Sequence, residues 1–401
     1  MDLNFLPTLP LALSQLMLFG VLLALGLLTG EAVRRYLSLP RITGYVLVGA
    51  ALGPEGTALL DGNALFELRL LVDLAIGLVV FELGSRVDLA WLRRNRWLFV
   101  AALAESLFCF LAIYAALWYF GFRPLLAAMA AAIGTATSPA VVLLVSSDLR
   151  SEGQITERMI LLTAVNTMFA YLVVALLLPF LHLDQQADLG TALLHPLYVF
   201  IGAVALGAAT SGLMMQVARW LGKDESRQFV LIVAVLVMTI GLAHGLQLSV
   251  AVTLVTLGLF ARNFDRHHVL LPVRLGHGGQ LFFVILFVLT GASLEFHALE
   301  IAAAAAVAAF IVMRFLGKAL GLLIFGKPSG IPPGKVGLLA VALVPMSGLA
   351  VVMVRDTITV YPSFGRELAA VVLSAVAILE IIGPIATQFA LRRAGEARPG
   401  Q

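Results

Sequence analysis

Two polar clusters stand in stretches that are otherwise continuously apolar. Thr135, Thr137 and Ser138 come directly before Pro139 in IGTATSPAVVLLV, and Asn166 with Thr167 lies in the middle of MILLTAVNTMFAYLVV. Polar groups in such surroundings are costly unless they line a site. Hydroxyl and amide oxygens can face a small cation, and a proline adds to them by removing a backbone hydrogen bond and freeing a carbonyl. These residues predict a cation site at Thr137, Ser138, Asn166 and Thr167. A second apolar stretch, ALVPMSGLAVV, carries Pro345 and Ser347 in the same style. Proton chemistry needs a titratable group. Three candidates stand well inside apolar segments: Glu105, Lys318, and Arg314 one turn before Lys318 on the same helical face. An amine or a carboxyl can carry a proton, whereas a guanidinium stays charged and serves as a charge partner.

The elements that must hold these groups are membrane helices. With 61% hydrophobic residues, 12% charged residues and a mean hydropathy of +1.01 over 401 residues, the chain is too apolar for a soluble core of its size. About thirteen spans are expected by the rule of roughly 20 apolar residues per crossing. They fall at 11–33, 42–60, 68–84, 97–120, 124–147, 156–181, 191–217, 228–244, 248–262, 279–294, 298–323, 335–355 and 367–391. The segments are continuously apolar rather than alternating, which selects helices over a barrel. Arginine and lysine concentrate on alternate loops, among them Arg34 and Arg35, Arg93 to Arg96, Lys223 and Arg227, and Arg392 and Arg393, while the opposite loops hold Arg69, Arg123, Arg355 and Arg366. This asymmetry predicts an outside amino terminus and a cytoplasmic carboxyl terminus. The net charge of +3 is thus an orientation signal and not a nucleic-acid footprint. Cys109 is the sole cysteine, so no internal disulfide and no thiolate cluster can form. No nucleotide loop or hydrolytic constellation is evident, and an enzyme is not expected.

The chain repeats itself. FELGSRVDLAWL and VLTGASLEFHAL align Gly84 with Gly291 and Asp88 with Glu295, at a separation of 207 residues. Pro139 and Pro345 stand 206 residues apart. The copies lie seven spans apart, an odd number, so the two units must face opposite ways across the bilayer. The expected fold is an all-α polytopic membrane protein built on inverted repeats, with two discontinuous helices crossing at mid-membrane. One transmembrane domain over 1–401 is expected: a first repeat at about 40–181, linker helices over 191–244, a second repeat at about 248–391, and no soluble regulatory domain.

On these motifs the chain resembles the bacterial monovalent cation:proton antiporters, the sodium/hydrogen exchangers, in their Kef-like branch. LPRITGYVLVGAALGP, LAIGLVVFELGSRVDLAWLRR, FFVILFVLTGASLEF, RFLGKALG and LEIIGP follow one another in the order found in that family. The resemblance implies exchange of a monovalent cation, Na+ or K+, for protons across a bacterial inner membrane. It also implies a homodimer, and a mobile core in which Lys318 matches a lysine that faces an acidic pair. At the position of that pair this chain has Asn166-Thr167, and PMSG stands where many relatives have a basic residue and a glutamate. A threonine hydroxyl does not titrate in the accessible range. Either Lys318 or Glu105 therefore carries the proton, or the chain is a transport-inactive or uncoupled member acting as a membrane sensor or a passive solute pathway.

Alternatives stay open for single groups. Lys318 could snorkel to water instead of facing the site. Glu105 could pair with Arg314 for structural reasons. Glu380 and Asp73 read as helix-packing acids, and His244, His267, His268 and His277 as solvated side chains, with pH sensing as the alternative. Gly26 with Gly30, and Gly202, Gly207 and Gly212, suit close helix contacts.

Overall fold

The computed structural model describes residues 15–60, 68–183, 189–265, 270, 277–293, 301–346, 348–360 and 362–397, and every described element is an α-helix. In chain order these are α1 (Gln15–Leu37), α2 (Arg41–Leu52), α3 (Arg69–Ser85), the short α4 (Leu89–Arg94), α5 (Arg96–Tyr119), α6 (Pro124–Thr135) and α7 (Pro139–Asp148). There follow α8 (Gln154–Leu183), α9 (Leu189–Leu221), α10 (Glu225–Gly245), α11 (Val250–Phe264), α12 (His277–Ala292) and α13 (Ile301–Gly326). The chain closes with α14 (Pro333–Ala342), α15 (Gly348–Val360) and α16 (Pro362–Arg393). Among the described residues, eight helices are long and apolar enough to cross a membrane, with α6 and α7 counted together. Each expected span meets a helix or a pair of half-helices. The one predicted at 42–60 is shorter than expected: α2 stops at Leu52, because Pro54 biases Gly53 into an extended conformation that closes the helix.

Local sequence sets the breaks. Pro139 and Pro333 occupy the first turn of α7 and α14, where a missing N–H costs nothing. Ser138, held extended by the proline after it, caps α7 by accepting the Val141 N–H at 3.3 Å. Asp88, Asn95, Asp224 and Ser249 cap α4, α5, α10 and α11 in the same way.

Glycines set how closely the helices approach. A Cβ on Gly49 would lie 2.0 Å from the Val288 carbonyl oxygen, and one on Gly291 2.4 Å from that of Val46, so α2 and α12 touch backbone to backbone. Helices α3 and α11 do the same through Gly84 and Gly258, at 2.2 Å from Val255 O and 2.1 Å from Phe81 O. Gly26 and Gly30 pack within the chain, against Val284, Val288 and Tyr45. Gly202 and Gly207 also meet neighbours in this chain, Leu248 and the Thr253 carbonyl, whereas Gly212 faces open space. His267 and His268, and the side chain of His277, lie outside the described residues.

Candidate ion-binding site

Helix α6 ends at Thr135, and Ala136 to Ser138 run extended before α7 begins. The partner break follows Ala342, where Leu343 to Met346 separate α14 from α15. The two unwound segments touch: Ser138 N–H donates to Pro345 O at 3.0 Å, and the Thr137 hydroxyl donates to Leu343 O at 3.5 Å. These contacts place Pro139 and Pro345 at one crossing. Ser347, also expected there, lies outside the described residues.

Arg314 holds the crossing together. Its guanidinium donates to Gly134 O at 2.8 Å, Ala136 O at 2.8 Å, Val344 O at 2.5 Å and Pro345 O at 3.1 Å, with the side chain 1% exposed. These carbonyls lie at and just past the ends of α6 and α14, where the helix dipoles carry partial negative charge. Backbone oxygens, not Glu105, thus partner this arginine. The expected Glu105–Arg314 pair does not form, because the fork geometry of arginine suits several converging acceptors.

Glu105 pairs with Lys318 instead. Lys318 Nζ lies 2.6 Å from Glu105 Oε1, and it also donates to Thr135 O at 3.0 Å and to Thr137 Oγ1 at 3.2 Å. Both residues are fully buried, which removes the snorkelling alternative. The pairing follows from helix contact. A Cβ on Gly321 would lie 2.5 Å from Glu105 Cα, and one on Gly317 2.6 Å from Cys109 Cα. This bare face of α13 brings Lys318 onto α5.

Asn166 completes the cluster from α8. Its amide nitrogen donates to Thr137 Oγ1 at 3.2 Å and to Glu105 Oε1 at 3.3 Å, and its amide oxygen accepts from Ser106 Oγ at 2.7 Å. Ser106 was not expected; its position directly after Glu105 was the available signal. Thr167 is 1% exposed, and its hydroxyl donates to Thr163 O on its own helix at 2.8 Å. The Thr135 hydroxyl likewise bonds Ala132 O at 2.7 Å, leaving its carbonyl to face Lys318. One atom of the cluster stands apart: Glu105 Oε2 is buried and has no hydrogen-bond partner among the described residues.

Glu380 departs from the sequence reading. Among the described residues, neither oxygen of this fully buried side chain has a hydrogen-bond partner, so no hydrogen bond ties it to a neighbouring helix as expected of a packing acid.

On the side where α8 and α14 begin, Glu396 accepts from the N–H groups of Ile155 and Thr156, each at 2.8 Å, from the Thr156 hydroxyl at 2.9 Å, and from Lys335 Nζ at 3.4 Å. Burial acts to raise its pKa, but these hydrogen bonds outweigh it and hold the carboxyl below the ordinary carboxylate value.

The fold is that of known antiporters. A solved structure of the sodium proton antiporter MjNhaP1 from Methanocaldococcus jannaschii at pH 8 aligns with a TM-score of 0.66, covering 94% of this chain and 96% of that one at 16% identity. A second structure of MjNhaP1, an electron-microscopy map, aligns with a TM-score of 0.67 over 100% of both chains at 17% identity. No curated protein matches the chain. The family model described as sodium/hydrogen exchanger, transmembrane, matches residues 20–393. This multi-pass membrane protein belongs to the sodium/hydrogen exchanger family, whose members transport cations against protons.

Proposed function

We infer that this protein exchanges Na+ or K+ for protons at the crossing, with Glu105 supplying the carboxylate that binds the cation. The observation that carries this reading is the free Oε2 of Glu105 beside an Oε1 held by Lys318 and Asn166. A cation entering there meets Glu105, Thr137 Oγ1 and the polar lining contributed by Ser138, Asn166 and Thr167. It competes with the Lys318 ammonium for one negative charge. Displaced from Glu105 in a buried site, the ammonium gives its proton to water as the cation binds, and the reverse step reloads it. Charge at the pair is conserved, since one monovalent cation replaces one proton.

In this reading Asn166-Thr167 stands where the Kef-like branch has its acidic pair, and the carboxylate has moved from α8 to α5. The reciprocal glycine contacts of α2 with α12 and of α3 with α11 support two repeats, at about 40–181 and 248–391, with opposite orientation. The protein would work as a homodimer in a bacterial inner membrane, with its basic loops in the cytoplasm. Ion flux in proteoliposomes under an imposed pH gradient, with Na+, K+ and Li+ in turn, tests the mechanism. Flux should vanish in Lys318→Ala combined with Glu105→Ala. Flux persisting in that double variant removes this mechanism, and no flux by the unmodified protein would leave a sensor or an uncoupled pathway.

A further inference from the structure

Glu380 lies near the middle of α16, 0% exposed, with neither carboxylate oxygen bonded. The same face of α16 lies against the crossing. One turn on, Gly383 packs so tightly that a Cβ would sit 2.7 Å from Pro345 Cα, and a turn beyond that the Thr387 hydroxyl donates to Ala342 O at 3.1 Å. Residues three and seven positions apart share a helix face, so Glu380 belongs to the flank of the ion-binding core.

The charged groups on the surrounding helices are engaged elsewhere. Arg314 on α13 is taken up by four carbonyls and Lys318 by Glu105. Arg41 on α2 pairs with Glu31 and with Asp148 of α7, and Lys335 on α14 reaches Glu396. Helix α6 carries no charged residue, and α15 places Arg355 two turns past its start. Among the described residues, none of these groups hydrogen-bonds either oxygen of Glu380. An ionised carboxylate with no partner in such a place costs several kcal/mol or more, whereas a neutral carboxyl does not. The arrangement is therefore self-consistent when Glu380 holds its proton. The core is then balanced: Lys318 against Glu105, and Arg314 against the negative ends of two half-helices.

We propose that Glu380 is a second proton-binding site of the exchange cycle, protonated in this closed arrangement and ionised when the crossing admits water and a monovalent cation. The O–H bond of the carboxyl breaks, the proton passes to water, and a second monovalent cation, beyond the one held at Glu105, supplies the countercharge. This rests on the exchange reading above, and it adds a proton that does not come from the Glu105–Lys318 pair.

The test counts protons released when NaCl, KCl or LiCl is added to the purified protein in weakly buffered detergent solution. Glu380→Gln, which matches the neutral carboxyl in shape and charge, should release about one proton fewer per protein than the unmodified chain. Glu380→Asp should restore release with a displaced pH profile, and both variants should melt near the unmodified temperature. Equal release by Glu380→Gln and the unmodified protein overturns the proposal and leaves exchange at Glu105 in place. Absence of release from the unmodified protein with all three salts also overturns it. That outcome would remove the exchange reading as well, since release from Lys318 is part of it, whereas equal release by the two proteins removes only the role of Glu380.

Discussion

At the scale of single residues, the crossing is a problem in buried charge. Glu105 and Lys318 are each fully buried and 2.6 Å apart, so either one alone would be an uncompensated ion. Removing one partner of such a pair costs about 3 to 5 kcal/mol, whereas replacing both with apolar groups of similar size can be neutral or stabilising. Glu105→Ala should therefore lower the thermal stability of the purified protein strongly, and Glu105→Leu combined with Lys318→Met should recover most of the loss while remaining unable to exchange ions. A double variant as unstable as Glu105→Ala would show that the pair is not the source of the cost. Asn166, Thr137 and the proline breaks were legible in the sequence because polar residues and prolines are conspicuous in an apolar run. The partner of Glu105 was not legible. Arg314 and Lys318 lie one turn apart on the same helix face, and only the rotation of α13 against α5 decides which of them meets the carboxylate.

At the scale of elements, glycine governs that rotation. Gly317 and Gly321 place α13 against the backbone of α5, and a side chain at Gly321 would enter the space of Glu105 Cα at 2.5 Å. Overpacking of this kind typically costs about 1 to 3 kcal/mol. Gly321→Val should cost at least that much and displace Lys318, so that ion flux falls together with stability. Gly241 faces open space on α10, and Gly241→Ala should be neutral or gain up to about 1 kcal/mol from helix propensity. Comparable losses for both substitutions, measured by thermal melting, would deny the close contact its role. Sequence alone marked these glycines only as members of RFLGKALG. It did anticipate the discontinuous helices, because Pro139 and Pro345 recur at almost the same separation as Gly84 and Gly291. The early end of α2 was missed, since the residues after Gly53 are apolar enough to read as a continuing span although Pro54 stops the helix.

At the scale of the whole molecule, the last described residues close over the core. Glu396 caps the first turn of α8, the helix that carries Asn166, and reaches Lys335 at the start of α14, the helix that leads into the second break. Its carboxyl is held below its ordinary value of 4.5. A carboxyl depressed by folding stabilises the protein above the unfolded pKa, and that contribution is lost as pH falls through the folded value. At neutral pH, Glu396→Gln should therefore melt below the unmodified protein, and the difference should narrow as pH drops below 4.5. A gap that is constant across this range would mean that the charge of Glu396 contributes nothing. Nothing in the sequence of the basic tail distinguishes Glu396 from a solvated acid, because its partners lie far away in the chain and are chiefly backbone N–H groups.

The central claim is that a monovalent cation and the Lys318 ammonium compete for Glu105 at the crossing. Binding of Na+ and K+ to the purified protein, measured by calorimetry as a function of pH, tests this most directly. The account predicts that affinity rises with pH in the unmodified protein and that binding is lost in Glu105→Gln. Cation binding of unchanged affinity in Glu105→Gln, or affinity independent of pH in the unmodified protein, would contradict it.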